Sequence, residues 1–249
     1  MSGHSKWSTI KHKKGALDAK RGKIFSKIVK EITVCARHGG GNPDNNPRLR
    51  MVIDKARSQN MPSDNIERAI RKGTGEEPGV IYEEMIYEGY GPAGVALVVR
   101  ALSDNKNRTA GEVRSVLDKK GGKMGGPNSV AFQFEKRGLI TVSRESAVED
   151  QLMDLVIDAG AEDMQSEKEY YEIVTGVPEF DKVKKKLDEA KIATMSAEIS
   201  LVPSTTVKVA GPDAKRVLDL VEALEDLDDV QNVYANFDIS DEDIESFKE

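Results

Sequence analysis

Hydrophobic residues recur with helical spacing in the first third of the chain. Over residues 22–38 they fall within one arc of about 140° on a helical wheel, and the basic residues fall on the opposite arc. Three glycines at 39–41 end this helix. Asn46 and Pro47 supply the cap and the first residue of a second helix, and Ser63 can cap a third. The pattern therefore predicts a small bundle of three amphipathic helices.

After residue 79 the hydrophobic pattern alternates between strand-like and helical stretches. The predicted strands lie at residues 83–88, 95–101, 130–134, 139–143, 162–165, 170–175, 197–202, 205–210 and 230–237. The predicted helices lie at residues 108–120, 148–159, 178–190 and 211–224. Residues 139–202 follow the order strand, helix, strand, strand, helix, strand, which is that of a ferredoxin-like unit. The elements on either side of this segment give the same order.

These elements predict an α+β multidomain chain. Its N-terminal helical domain of three helices is followed by two ferredoxin-like α/β domains, one inserted in the other, with a plain serial arrangement as the alternative. The predicted domains are a basic mobile arm (1–21), a helical nucleic-acid-binding domain (22–78), an α/β domain (79–135 plus 204–238), the inserted ferredoxin-like domain (136–203) and an acidic tail (239–249). A chain of 249 residues is long enough for several separate cores.

Charge separates the chain into two parts of opposite sign. Residues 1–75 contain 17 Lys/Arg and six Asp/Glu, a net charge of +11, whereas residues 76–249 carry a net charge of −17. A basic segment binds phosphate backbones regardless of sequence, because binding releases counterions. The acidic remainder opposes the wrapping of nucleic acid around it. We therefore expect a polyanion to contact only the first third of the chain.

The start of the chain combines many basic side chains with the only Trp and with His residues. Such interleaving is typical of nucleic-acid-binding segments, although a terminal tail without a role can have a similar composition. The basic arc of the first helix continues this arm, so we predict one phosphate-binding strip rather than a merely solvated helix face. The candidate binding residues are Lys6, Trp7, Lys11, His12, Lys13, Lys14, Lys20, Arg21, Lys23, Lys27 and Lys30.

A secondary anion site is a candidate at the start of the helix predicted at 108–120. Unpaired N–H groups at a helix N-terminus attract anions, and Lys106, Asn107 and Arg108 lie at this end. The alternative is an ordinary Asn cap with exposed cations. Adjacent acids, such as Asp228–Asp229, are predicted to be solvated and to do no acid–base work.

No catalytic residue, cofactor or metal site is predicted. No His occurs beyond residue 38, so His-based acid–base chemistry is confined to the basic start of the chain. Cys35 and His38 have the spacing of half a zinc site, but no second Cys exists and Cys35 falls on the apolar arc, which favours core packing. The Gly-rich segment 121–129 lacks the Gly-Lys-Ser/Thr pattern of a phosphate loop and is predicted to be flexible. An enzyme is the least supported class.

Composition predicts a cytoplasmic protein without membrane contact. A single Cys excludes an internal disulfide framework and fits a reducing compartment. The apolar runs are too short to span a bilayer, and the basic N-terminus lacks the apolar core of a secretory signal.

Several motifs resemble those of the YebC/PmpR family, whose mitochondrial relatives are translational activators of cytochrome oxidase subunit I. The N-terminal signature is Gly3-His4-Ser5-Lys6-Trp7, Ile10-Lys11-His12-Lys13-Lys14, Asp18-Ala19-Lys20-Arg21-Gly22-Lys23 and Phe25-Ser26-Lys27, and the resemblance continues through residues 60–62, 65–66, 72–73, 87–92 and 105–109. It implies three domains, a helical one followed by two α/β ones, and a cytoplasmic, non-enzymatic regulator. Members have been described as transcriptional regulators that bind promoter DNA, and others as ribosome-associated factors that help translation through proline runs.

Two functions therefore stay open. A helix-turn-helix at residues 47–72 favours a DNA-binding regulator of transcription. A flexible arm of Lys and aromatic residues, without an obvious recognition helix, favours a translation factor on ribosomal RNA or the ribosome. A third interpretation is an interaction scaffold whose basic arm docks on an acidic partner. The acidic α/β domains are a candidate surface for a protein partner.

Overall fold

Three helices precede a series of strands and further helices in a computed structural model that describes residues 18–240, 242 and 243, with side chains from residue 21 onward. The helices are α1 (Asp18–Gly39), α2 (Pro47–Ser58), α3 (Ser63–Thr74), α4 (Lys106–Lys119), α5 (Glu149–Ala159), α6 (Phe180–Glu189) and α7 (Gly211–Glu225). The strands are β1 (Glu83–Tyr90), β2 (Ala96–Ser103), β3 (Lys123–Met124), β4 (Phe134–Ser143), β5 (Ala161–Ser166), β6 (Tyr170–Thr175), β7 (Thr194–Pro203), β8 (Val207–Lys208), β9 (Val230–Ala235) and β10 (Phe237–Asp238).

The chain divides into two units. Unit 2 is residues 133–204, and unit 1 combines the chain before residue 133 with the chain after residue 204. Unit 1 holds the three N-terminal helices and one α/β module, and unit 2 is a second α/β module inserted into it. The predicted α+β class, with an N-terminal helical region followed by sheet domains, is confirmed. Among residues 18–240, no helix has the length and apolar character needed to cross a bilayer.

In unit 1, α1 packs against both α2 and α3. The core of this bundle is formed by Ile28, Ile32, Cys35, Ala36, Leu49, Val52, Ile53, Ala56, Met61, Ile66 and Ala69. Asn46 caps α2 as predicted, because its Oδ1 accepts a hydrogen bond from the Leu49 N–H at 3.1 Å. The predicted Ser63 cap is wrong. Pro62 occupies the cap position of α3, so Ser63 is already the first helical residue and its hydroxyl makes no capping bond.

The close approach of α1 and α3 depends on Gly73. A Cβ atom at this position would lie 2.5 Å from the Thr33 carbonyl oxygen and 2.7 Å from the Ala36 Cβ. Such distances are too short for a methyl group, so only glycine allows the two helices to touch here.

Gly73→Ala is therefore expected to lower the free energy of unfolding by about 1–3 kcal/mol, because the new methyl overpacks the helix contact. The matched control is Gly111→Ala in α4, where an added Cβ would meet no atom within 4 Å. That change is expected to raise stability by about 0.5–1 kcal/mol, since glycine is costly inside a helix. Urea denaturation of both variants measures the difference, and equal stabilities would contradict the packing described.

The α/β module of unit 1 contains a four-stranded antiparallel sheet in the order β3-β1-β2-β9. Helices α4 and α7 share one core with the sheet, in which Leu97 and Val99 of β2 meet Val113, Leu117 and residues of α7. β8 pairs in parallel with β10 as a separate two-stranded ribbon.

Two predicted strands of this module differ from the structure. Residues 131–133 form a 3-10 helix instead of a strand, because the backbone N–H groups of Val130 and Ala131 bind the Glu88 carboxylate and cannot join a ladder. The strand predicted at 205–210 shortens to β8. The fourth place in the sheet is taken by β3, which lies within the segment predicted to be a flexible loop.

Unit 2 has the sheet order β5-β6-β4-β7, with all neighbouring strands antiparallel. Together with α5 after β4 and α6 after β6, this is the ferredoxin-like arrangement predicted for the segment, including its β5–β6 hairpin. The two ends of the unit meet. Phe134 pairs with Pro203, and the Ser204 N–H donates a hydrogen bond to the Gln133 carbonyl at 2.8 Å.

Candidate nucleic-acid interface

The predicted binding strip falls partly outside the described residues. Its arm residues Lys6, Trp7, Lys11, His12, Lys13 and Lys14 lie before residue 18, and the side chain of Lys20 also lies outside the description. The structure therefore reports on Arg21, Lys23, Lys27 and Lys30 of α1. Arg21 is exposed, and its guanidinium lies over the Phe25 ring at 5.6 Å from the ring centroid.

The other three residues form a row on α1 (Lys23, Lys27 and Lys30, the lysine row) that contacts residues 225–229, here called the acidic loop. Lys23 Nζ lies 2.8 Å from Asp226 Oδ1. Lys27 Nζ donates a hydrogen bond to the carbonyl oxygen of the last α7 residue, Glu225, at 2.6 Å. These three lysines of the predicted basic arc are thus bound by oxygens of the same chain.

The innermost contact of the lysine row is made by Lys30. Its Nζ lies 2.6 Å from Asp229 Oδ1 and donates to the Asp228 carbonyl at 3.1 Å. The other carboxylate oxygen of Asp229 accepts hydrogen bonds from Arg108 Nη2 and Thr109 Oγ1, each at 2.8 Å. Burial alone would raise the pKa of Asp229, but the bonds from Arg108, Lys30 and Thr109 hold this pKa well below its usual range.

Asp229 therefore corrects the prediction of a solvated acid pair at 228–229. Its side chain is only 6% exposed, whereas Asp228 is exposed. A buried carboxylate persists because cations of two helices neutralise it. Single-sequence reasoning missed this residue, since its partners lie on α1 and α4, far away along the chain.

The predicted secondary anion site at the start of α4 is occupied by carboxylates of the chain itself. Lys106 Nζ lies 2.5 Å from Glu83 Oε2, and Arg108 Nη2 lies 2.8 Å from Asp104 Oδ1 as well as contacting Asp229. Asn107 is exposed. The preceding Asn105 acts as an ordinary cap, because its Oδ1 accepts from the Arg108 N–H at 3.1 Å.

A second group of charges joins the helices to the sheet. Glu31 of α1 is buried and lies 3.0 Å from Arg100 Nη1 and 3.5 Å from Lys55 Nζ. Arg100 also contacts Glu84, which in turn pairs with Arg48 of α2 at 3.3 Å. Burial alone would raise the pKa of Glu31, but Lys55 and Arg100 lower it overall.

The Gly-rich segment after α4 is held by Glu88 of β1. The Glu88 carboxylate accepts hydrogen bonds at 2.7 Å from the backbone N–H groups of Asn128, Val130 and Ala131. Burial would raise the pKa of Glu88, and these backbone bonds lower it overall. The prediction of a flexible loop is therefore wrong at the end of the segment, where this carboxylate holds the backbone of Asn128 and, just beyond the segment, of Val130 and Ala131.

Cys35 packs in the bundle core, as predicted. Burial raises the pKa of its thiol to about 11, so the thiol stays protonated near neutral pH. Among the residues that the structure describes, no group of three or more His, Cys, Asp or Glu side chains could hold a metal ion.

Comparison with known proteins places these features in a family. Residues 5–76 match the family described as "TACO1/YebC protein N-terminal domain", and residues 82–237 match "TACO1/YebC second and third domain". This chain belongs to the TACO1/YebC family. Two of the motifs that carry the resemblance lie at contacts described above. Residues 87–92 contain Glu88, and residues 105–109 contain the α4 cap together with Arg108 and Thr109, which donate hydrogen bonds to Asp229.

Family members with very similar sequences carry a regulatory name. A protein of Geobacter sulfurreducens is 56% identical over 98% of this chain and 99% of its own length, and one of Desulforapulum autotrophicum is 54% identical over 97% and 98%. Both are named "Probable transcriptional regulatory protein". The crystal structure of a conserved hypothetical protein from Aquifex aeolicus is similar, with a TM-score of 0.83, 47% identity, and coverage of 90% of this chain and 93% of that one.

Proposed function

We propose that this chain is a non-enzymatic, cytoplasmic regulatory protein that binds nucleic acid through its basic N-terminal region, and that it regulates transcription by binding DNA. The observation that carries the proposal is the separation of charge, a net +11 in residues 1–75 against −17 in the remainder. The names of the relatives support a regulatory role.

A translation factor that places the same arm on ribosomal RNA is the second candidate, and one observation on α3 favours it. A recognition helix often reads guanine through arginine, but in α3 Arg71 lies 2.7 Å from Glu77, and Arg68 lies 3.8 Å from the same carboxylate. Both arginines would have to exchange Glu77 before they could contact a base edge, so α3 does not hold them preformed for base readout. Single-stranded or looped RNA needs only an electrostatic track with stacking side chains, which the sequence of the arm offers.

Reversal of charge in the arm tests the proposal. Lys13→Glu combined with Lys14→Glu is expected to weaken binding to nucleic acid at least about tenfold. Because phosphate contacts are lost, the slope of the logarithm of the association constant against the logarithm of the salt concentration is expected to become less negative by roughly 2. Lys119→Glu with Lys120→Glu changes the net charge equally at the exposed end of α4 and serves as the control. Electrophoretic shifts across a salt series provide both quantities. Equal affinities of the two double variants would remove the arm from the interface.

The choice between DNA and RNA needs a separate measurement. Sedimentation of the protein with ribosomes, beside shifts on a promoter duplex and on a scrambled duplex, compares the two targets directly. Preference for one duplex, together with release from ribosomes at low salt, rules out the translation factor. Equal binding of all duplexes with co-sedimentation rules out a sequence-specific regulator of transcription.

A further inference from the structure

The lysine row is covered unevenly by the acidic loop. At its outer end, the paired side chains of Lys23 and Asp226 are 45% and 72% exposed, so water reaches both charges. At its inner end, those of Lys30 and Asp229 are only 15% and 6% exposed, and Asp229 is also held by Arg108 and Thr109. An exposed ion pair exchanges partners easily, whereas a buried one that shares further hydrogen bonds does not.

The acidic loop presents oxygens to α1 much as a phosphate backbone does. Lys23, Lys27 and Lys30 are spaced by four and three residues, so they project from one side of the helix over roughly 10 Å of its length. The oxygens facing them come from carboxylates and from main-chain carbonyls at the C-terminal end of α7, where the helix dipole is negative. The loop therefore provides a line of negative charge that follows the lysine row.

We infer that the acidic loop is an internal competitor of nucleic acid. This inference rests on the proposed function, and it adds that Lys23 is not open to a phosphate until Asp226 is displaced from it. Because the Lys23–Asp226 pair is exposed, an incoming polyanion can replace Asp226 there while the inner pair keeps α1 attached to the module. The loop thus lowers the affinity of the resting protein and favours ligands with enough phosphates to exchange for it.

The test compares two neutralised acids that change the net charge equally. Asp226→Asn removes the competing carboxylate, and Asp219→Asn neutralises an exposed acid of α7 outside the acidic loop. The probes are a 30-base-pair DNA duplex and a 30-nucleotide single-stranded RNA, both fluorescently labelled, titrated with the full chain. We expect Asp226→Asn to bind the better of the two probes at least about threefold more tightly than Asp219→Asn, since only the former removes the carboxylate paired with Lys23.

A second comparison separates competition from a general charge effect. In the unchanged chain, a phosphate gains Lys23 only at the cost of the Lys23–Asp226 pair, so Lys23→Gln is expected to weaken binding by less than about twofold. In the Asp226→Asn chain, the same substitution removes only the phosphate contact and is expected to weaken binding at least about threefold.

The outcomes distinguish this inference from the proposed function. If the unchanged chain binds and depends on the arm lysines, but Asp226→Asn matches Asp219→Asn, the internal competitor is wrong and the proposed function stands. An equal effect of Lys23→Gln in both backgrounds overturns the inference in the same way. A chain that binds neither probe overturns both.

Discussion

Asp229→Ala is expected to lower the free energy of unfolding of unit 1 by about 3–5 kcal/mol, the usual cost of removing one partner from a buried ion pair. The carboxylate is the shared acceptor of Lys30, Arg108 and Thr109, so its loss leaves Lys30 without this carboxylate and Arg108 with Asp104 as its ion-pair partner. Urea denaturation followed by circular dichroism at neutral pH measures the change.

Asp228→Ala is the matched control, since it removes the neighbouring acid, whose side chain is exposed. It is expected to change stability by less than about 0.5 kcal/mol, as surface substitutions usually do. Similar losses in the two variants would show that charge number, rather than the buried contact of Asp229, sets stability here.

The same carboxylate predicts a dependence of stability on pH. Because the folded state holds the pKa of Asp229 well below its usual range, the group stabilises the fold fully above its unfolded pKa of about 3.9. This stabilisation decreases as the pH falls below that value toward the folded pKa. Between about pH 5 and pH 3 the unchanged chain is therefore expected to lose more stability than Asp229→Ala does.

Glu88→Ala is expected to cost about 3 kcal/mol, because three backbone N–H groups lose one charged acceptor. The Val130 N–H is the most affected, since Val130 is fully buried and water cannot replace the carboxylate. Hydrogen exchange at Asn128, Val130 and Ala131 is expected to become faster in this variant.

Glu83→Ala on the same strand controls for the loss of an acid, because the ion pair of Glu83 with Lys106 is exposed. Such a pair contributes about 0–1 kcal/mol, so residues 128–131 are expected to keep their protection. Unchanged exchange in Glu88→Ala would mean that something other than the carboxylate fixes the Gly-rich segment.

Local periodicity was sufficient to predict the helices and most strands. The inward positions of α1 and α2 follow from amphipathic spacing, and the cap at Asn46 follows from its neighbour Pro47. The pattern was wrong at residues 130–134, where apolar residues alternate as in a strand. The backbone N–H groups of Val130 and Ala131 bind Glu88, more than 40 positions earlier, and such a contact leaves no local signal.

The partners of the charged residues could not be predicted from the sequence either, because they also lie far apart along the chain. Lys23 and Asp226 are 203 positions apart, so the basic arc of α1 could only be assigned to solvent or to a ligand. Two local signals did exist. Glu31 is the single acid among residues 21–37, and Arg100 is the single charge in β2. A lone charge in an otherwise opposite or apolar environment indicates a buried partner.

Ser204 donates two hydrogen bonds to the Gln133 carbonyl, from its N–H and from its hydroxyl, and this closure gives unit 2 the connectivity of a cassette. The 72 residues of this cassette therefore begin and end at neighbouring, hydrogen-bonded positions. Its length and surface can diverge during evolution without stretching the host fold, because its two connections to that fold lie side by side. Selection can thus act on the cassette and on the basic helical region separately.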